Sequence, residues 1–232
     1  MQQPQGLKFV CLSDTHNSHP HILEKGDVLI HCGDFTCIGD YKEVQNFNRW
    51  LDAQQGFKYK IIIAGNHDLS FDSQKYPELQ QYTELQKEIY YLKKNFIYLE
   101  NSEVDIEGYK IWGSPYSLEY WNGAFQLSPK ESENFWKNIN DQADIVLTHG
   151  PPYGHGDMSK SEVCEHVGDK QLLKRIKQIK PKYHIFGHIH EAYGISEEDG
   201  IQFINCSYFK KNYSVGNKPF SFTLPCREQK NR

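Results

Sequence analysis

The sequence predicts an α/β fold with a second sheet packed on the first. Three observations carry this. Short apolar runs rich in Val and Ile recur without polar alternation, apolar residues at three- and four-residue spacing fall between them, and two regions break the strand–helix rhythm with further strand-like stretches. An unalternated apolar run marks a strand covered on both faces, and strands alternating with helices mark an α/β protein.

Taken in order, strands are expected at "LKFVCLS" (7–13), "DVLIHCG" (27–33), "KYKIIIAG" (58–65), "DIVLTHG" (144–150) and "KYHIFG" (182–187). Val44, Phe47 and Leu51 share one helical face, as do Leu79, Tyr82, Leu85, Ile89 and Leu92. Leu172, Ile176 and Ile179 form a third face, which ends at Pro181 because proline cannot continue a helix. "SEVDIEGYKIWGSP" (102–115) reads as a hairpin turning at Glu107–Gly108, and "IQFINCS" and "FSFTLP" as strands of the second sheet. No repeat or linker interrupts the chain, so one domain over 1–232 is expected, with short polar termini, about 1–6 and 227–232, disordered.

Composition narrows the function. A protein that grips nucleic acid through its phosphates carries a basic surplus, whereas the formal charge here is -4, so no stable nucleic-acid partner is expected. The runs "VLI", "IIIA" and "IVL" are too short to span a bilayer, and "MQQPQG" lacks the apolar stretch of a signal peptide. A cytoplasmic protein without a membrane partner is the expectation; the oligomeric state is not legible. None of the six cysteines sits in a CxxC pair, so free thiols in a reducing compartment are expected. "NCS" at Asn205 and "NYS" at Asn212 match the glycosylation pattern but carry no meaning in the cytoplasm.

The decisive pattern lies just past the end of each apolar run. Asp14 and His16 come after the first, Asp34 after the second, Asn66, His67 and Asp68 after the third, His149 after the fourth, and His188 and His190 after the fifth. In open α/β sheets, ligands bind beyond the carboxyl ends of the strands. Imidazole and carboxylate together suit divalent metals of intermediate softness, and no thiolate is needed. Any one of these fragments is weak alone, because D-x-H is a common loop pair and "GNHD" an ordinary turn. Their joint occurrence, each at the end of a strand, predicts a two-metal site. His155, in "HGPPYGHGD", is kept as a substrate contact, and the remaining histidines are read as surface or core residues.

With these blocks in view, "DTH" (14–16), "GD" (33–34), "GNHD" (65–68), "TH" (148–149) and "GHIH" (187–190), the sequence resembles the calcineurin-like metallophosphoesterases. The stretches "GDFT", "IIIAGNHDLSFD", "WGSPY", "THGPP" and "GHIHEAYG" are similar to the branch of brain-related metallophosphoesterase-domain proteins, allied to class III cyclic nucleotide phosphodiesterases. The resemblance implies a four-layer α/β/β/α sandwich, two packed mixed sheets flanked by helices. It implies Asp14, His16 and His190 at a first metal, Asn66, His149 and His188 at a second, and Asp34 bridging them. Mn²⁺ is the expected metal, with Fe, Zn, Co and Ni as alternatives. Asn66 and His67 would also meet the substrate, and His67 would serve as general acid.

Many relatives place an acidic residue three positions after the bridging aspartate, where this chain has Cys37; Asp68 or Asp40 is the expected substitute for orienting His67. Some members of the branch lose the first histidine of the last block, which is retained here as His188. The implied reaction is hydrolysis of a small phosphodiester, such as a cyclic nucleotide, by a hydroxide bridging two metals about 3.5–4 Å apart. The competing readings are a phosphomonoesterase or nuclease on the same site, and a non-catalytic binding protein on a retained fold. The "GDYVDRG"-type extension of protein phosphatases is absent after Asp34.

Overall fold

The structure, a computed structural model, describes residues 6–21, 23–160, 164–210, 214 and 216–227. The first half runs β1 (Leu7–Leu12), β2 (Val28–Cys32), α1 (Tyr41–Ala53), β3 (Tyr59–Ile63), α2 (Thr83–Asn95) and β4 (Ile97–Tyr98). A hairpin of β5 (Ser102–Ile106) and β6 (Tyr109–Ser114) leads into the short strands β7 (Ser117–Leu118) and β8 (Gln126–Leu127), then α3 (Pro129–Phe135). The second half adds β9 (Ile145–Thr148), β10 (Met158–Lys160), β11 (Cys164–His166), α4 (Lys170–Ile179) and β12 (Tyr183–Phe186). It closes with β13 (Gly194–Glu198), β14 (Ile201–Asn205) and β15 (Phe220–Leu224).

These strands form two large mixed sheets. The first is ordered β15-β1-β2-β3-β4, and the second β13-β14-β12-β9-β6-β5. In the first, only β15 runs antiparallel to its neighbour; in the second, the antiparallel strands are the two edges, β13 and β5. Side-chain alternation sorts the core into three layers. Phe9, Cys11, Ile30, Ile61, Ile111, Ile145 and Ile185 meet between the sheets. Val10, Leu29 and Ile62 face outward onto Val44, Phe47 and Leu51 of α1 and Leu85, Ile89 and Leu92 of α2. Val146, Phe186 and Phe203 face the other way onto Trp136 and onto Leu172 and Ile176 of α4. The result is the four-layer α/β/β/α sandwich, and it explains why the strands lack polar alternation: both faces are dry.

Local chemistry sets the element ends. Asp40 caps α1 through the Glu43 backbone N–H, with the Glu43 side chain returning to Asp40 in a capping box. The hairpin turns where expected, with Glu107 at φ 50° and Gly108 at φ 84°, the twist that suits a tight hairpin. One helix differs from expectation. Pro77–Gln81 is a short 3₁₀ turn and α2 starts only at Thr83, because Tyr82 is extended at φ -81°, ψ 96°. Tyr82 consequently points to solvent rather than continuing the helical face.

No disulfide joins the six cysteines, and Cys11, Cys32 and Cys206 are buried as small hydrophobes. Asn205 is fully buried and its amide donates to Gly156 and Ile189 carbonyls, so it presents no glycosylation site; Asn212 lies outside the described residues. Apart from Gly6 and Arg227, so do the terminal residues expected to be disordered. Among the described residues no helix is long and apolar enough to cross a membrane.

Phe47 is fully buried and stacks on Phe35 with ring centroids 4.1 Å apart. Phe47→Ala is expected to destabilise the fold by about 3–5 kcal/mol in denaturant titrations. The exposed Tyr90→Ala control on α2 should change stability by less than about 0.5 kcal/mol.

Candidate metal centre

The carboxyl ends of five strands from both sheets converge on one edge. Beyond β1, Ser13 leaves the first sheet and bridges to Ser207, past β14 of the second. Its N–H donates to the Cys206 carbonyl at 3.0 Å, and its carbonyl accepts from Tyr208 at 2.8 Å. The turns after β1 and β2 pair with each other: Asp14 N–H donates to Gly33 O at 2.9 Å and His16 N–H to Asp34 O at 3.0 Å. Asp14, His16, Asp34 and His188 all take left-handed φ, between 38° and 70°. Non-glycine residues adopt that region at a cost, and such strain concentrates at functional sites. Gly187 permits the last turn. A Cβ there would collide with the Ser13 hydroxyl and the Asp14 carboxylate.

The side chains so delivered form three overlapping groups: Asp14 with His16 and His190, His16 with Asp34 and His67, and Asp34 with His149 and His188. Within each, the donor atoms lie within 4.8 Å of one another. Second contacts fix the rings. His149 Nδ1 lies 2.9 Å from the Cys32 carbonyl, which can only accept, so Nδ1 carries the hydrogen. His149 Nε2 then faces Asn66 Oδ1 at 2.8 Å and Asp34 Oδ2 at 3.3 Å. His16 Nδ1 is similarly turned to the Thr36 carbonyl at 3.2 Å, and its Nε2 faces His190 Nε2 at 3.2 Å. His190 Nε2 in turn lies 3.5 Å from Asp14 Oδ1.

Ring nitrogens and oxygens converging in this way need a proton or a metal cation between them, and imidazoles pinned by carbonyls are how metal ligands are held. The donor set therefore fits divalent metals. The charge balance reflects this crowding. Burial alone would raise Asp14 and Asp34, yet the imidazoles around them hold both carboxyls well below the usual range. Burial alone would lower His149, yet Asp34 and Asp14 bring it up to about 9. Burial and the neighbouring His149 lower His188, which favours the neutral form that ligates.

His67 sits at the rim, and its expected orienter differs from the one in the structure. Its Nδ1 lies 2.7 Å from the backbone carbonyl of Cys37, so this carbonyl sets the tautomer and leaves Nε2 to hold or release a proton. The loop bearing that carbonyl is clamped by Glu43, which accepts from Cys37 N at 3.1 Å and Ile38 N at 3.0 Å. Asp40 is occupied as the cap of α1. Asp68 lies behind Asp34: its carboxylate accepts from the backbone N–H groups of Asp34, Thr36 and Gly65 at 2.8–2.9 Å and from the Thr36 hydroxyl at 2.6 Å. It shapes the turn that presents Asp34, and does not touch the His67 ring.

His155 also differs. It is tied to Ser196 and Glu198, each at 2.9 Å, and stacks on Phe203 at 3.8 Å, away from the cavity beside the metal-ligating edge. That cavity, of about 350 Å³, is lined by Asp34, Asn66, His67, His188 and His190 and extends past Tyr116, Tyr120, Glu119 and Glu191. Sequence reading missed Glu119 and Glu191, since lone glutamates carry no motif.

The family described as calcineurin-like phosphoesterase matches residues 7–192. The chain belongs to this family. It is 38% identical over 242 residues to the human protein named metallophosphoesterase domain-containing protein 1, covering 96% of this chain and 72% of that one. It is 36% identical to UPF0046 protein T07D4.2 of Caenorhabditis elegans, covering 96% of this chain and 61% of that protein. Among solved structures, that of GAP50, the anchor in the inner membrane complex of Plasmodium, shares the fold with a TM-score of 0.54 at 14% identity, covering 95% of this chain and 78% of that one. Membership makes the coarse function metal-dependent hydrolysis of phosphoester bonds.

Because His67 uses the Cys37 carbonyl and not its thiol, Cys37→Ala should leave turnover within about threefold of wild type. Glu43→Ala frees three backbone N–H groups, those of Cys37, Ile38 and Asp40, and should slow turnover about tenfold or more, a misplacement effect. Steady-state kinetics on both variants, with stability measured alongside, separate the two outcomes.

Proposed function

We propose that this calcineurin-like phosphoesterase is a two-metal phosphodiesterase acting on a small phosphodiester, such as a cyclic nucleotide. The observation that carries this reading is the convergence of ring nitrogens and oxygens at two adjacent points, His16 with His190 and Asp14, and His149 with Asn66 and Asp34. Asp14, His16 and His190 would hold one metal, Asn66, His149 and His188 the other, and Asp34 would touch both. Bound metals supply positive charge for the phosphoryl oxygens and a water activated at neutral pH, with Mn²⁺ favoured over Fe, Zn, Co or Ni. The chain's own residues do the rest. The His67 N–H donates to Asp34 Oδ1 at 2.8 Å and fixes the shared carboxylate. The His67 ring, with Nδ1 committed to Cys37 O, delivers a proton from Nε2 to the departing alkoxide.

The walls favour a diester. Glu119 and Glu191 line the cavity, and among its described lining residues there is no Lys or Arg. A second negative charge on the substrate is repelled by these carboxylates. A monoanionic diester escapes most of that repulsion, whereas a dianionic monoester or an oligonucleotide with flanking phosphates does not.

Three measurements test the reading. Chelation should abolish turnover and Mn²⁺ restore it, with elemental analysis giving two metals per chain. A fully active chain without metal would end the proposal. Asp34→Asn should weaken both metal sites, while His188→Ala and His190→Ala should each weaken one. His67→Ala should retain metal yet slow hydrolysis of a cyclic nucleotide by about 10²–10⁴-fold. Its effect on bis-nitrophenyl phosphate should be much smaller, because nitrophenolate departs without a proton.

A further inference from the structure

Residues 119–125 join the paired strands β7 and β8 and overhang the metal-ligating edge. The loop is tied down at several points. Ser117 N donates to Phe125 O and Glu119 N to Leu127 O, both at 3.0 Å. Ala124 N donates to the carbonyl of Asn66 at 2.8 Å, and Lys75 Nζ to the carbonyl of Gly123 at 2.6 Å. Gly123 lies so close to Asn66 that a Cβ there would strike its side chain and carbonyl. The loop is thus fixed in register with a candidate metal ligand.

At its apex the sequence places two large aromatic rings in the open. Tyr120 is 66% exposed and Trp121 61% exposed. Trp121 is also left-handed, at φ 57°, where a bulky side chain is disfavoured. A turn of this shape is met more comfortably by Gly or Asn, and packing does not explain an indole left in water. Its position supplies the explanation. The indole lies nearly parallel to the His67 ring, 25° between planes and 5.6 Å between centroids. His16 meets His67 edge-on at 4.8 Å. Trp121 therefore stands beside the proton donor, where the leaving alcohol departs, with most of its surface accessible. Tyr120 stands over the other half of the centre, edge-on to His188 at 5.6 Å.

We propose that Trp121 is a specificity-determining residue whose indole is a stacking platform for a flat aromatic group carried on the leaving alcohol. The inference rests on the phosphodiesterase reading above. An exposed indole offers a large π face that takes any planar ring in an offset stack, and it does so without a hydrogen-bond code.

The test compares two substrates with the same scissile bond: adenosine 3′,5′-cyclic phosphate, and the same sugar cyclic phosphate with methoxy in place of the base. Each is measured on the metal-loaded wild type, Trp121→Leu and Trp121→Phe, by kcat/KM where turnover occurs and by calorimetric dissociation constant where it does not. Wild type should prefer the base-bearing compound by about 5- to 150-fold, the range of one base–aromatic stack. Trp121→Leu should reduce that preference to below about threefold, and Trp121→Phe should keep most of it. An unchanged preference in Trp121→Leu overturns the proposal. So does an equal loss on both compounds, which would make Trp121 a brace for His67 alone. Absence of turnover with the binding preference intact would count against the phosphodiesterase reading and leave the stacking platform standing.

Discussion

A carboxylate held out of water needs donors or cations around it, and Asp34 is only 2% exposed. The surrounding structure can be read as the answer to that requirement. The backbone N–H of His67 donates to one Asp34 oxygen, while imidazoles of His149 and His16 face the other at 3.3 and 3.9 Å. Asp68 does not add to the charge at the centre from the front. It gathers the N–H groups of Asp34, Thr36 and Gly65 from behind, so two backbone segments, the turn after β2 and the turn after β3, are pulled to one point. Burial and the nearby Asp34 charge push Asp68 up to about 7, and the bonds from Thr36 and Gly65 work against that rise. Backbone dipoles and the Thr36 hydroxyl, and not side-chain cations, limit the cost of this second buried carboxylate without cancelling it.

Much of this was legible in the sequence for a physical reason. Strands buried on both faces have no freedom to be polar, so "IIIAG" and "IVLTHG" announce themselves. Residues that end such strands can hold a ligand only if they are polar and point off the sheet. That is why Asp14, Asp34, Asn66, His149, His188 and His190 stand out, and why they gather at one edge. The antiparallel strand β13 was less visible, since "GISEE" at a sheet edge is half exposed and carries little apolar signal. The cap of α3 was readable in principle: Ser128 and Glu131 form a capping box around Pro129. The orienter of His67 was not readable at all. A backbone carbonyl has no sequence signature, and a search confined to side chains at the Cys37 position leads to Asp40 or Asp68, both already engaged elsewhere.

The Cys37 carbonyl also changes what the acidic residue of other relatives means. A carboxylate beside His67 would both orient the ring and stabilise its charged form. A carbonyl orients it through the same Nδ1–H but adds only a dipole. Orientation and charge are therefore separable here. The clamp by Glu43 preserves orientation, since its carboxylate is spent on Cys37 and Ile38 N–H groups and on the cap of α1. In the proposed reaction, proton delivery would depend more on how well the ring is held than on a charged partner, and the indole of Trp121 lies nearly parallel to that ring.

The location of the centre bears on stability as well as chemistry. Asp14, His16, Asp34, Asn66 and His67 come after strands of the first sheet, whereas His149, His188 and His190 come after strands of the second. Each candidate metal position draws on both sheets, Asp14 and His16 with His190 on one side and Asp34 with His149 and His188 on the other. A cation there would link the two sheets across the edge where Ser13 already crosses between them. Because the unfolded chain cannot assemble ligands so distant in sequence, binding favours the folded state by mass action. The left-handed turns at Asp14, His16, Asp34 and His188 oppose that state by roughly 1–3 kcal/mol each. Strain and metal affinity therefore act on the same four residues with opposite sign, which ties the geometry of the candidate metal centre to the stability of the sandwich itself.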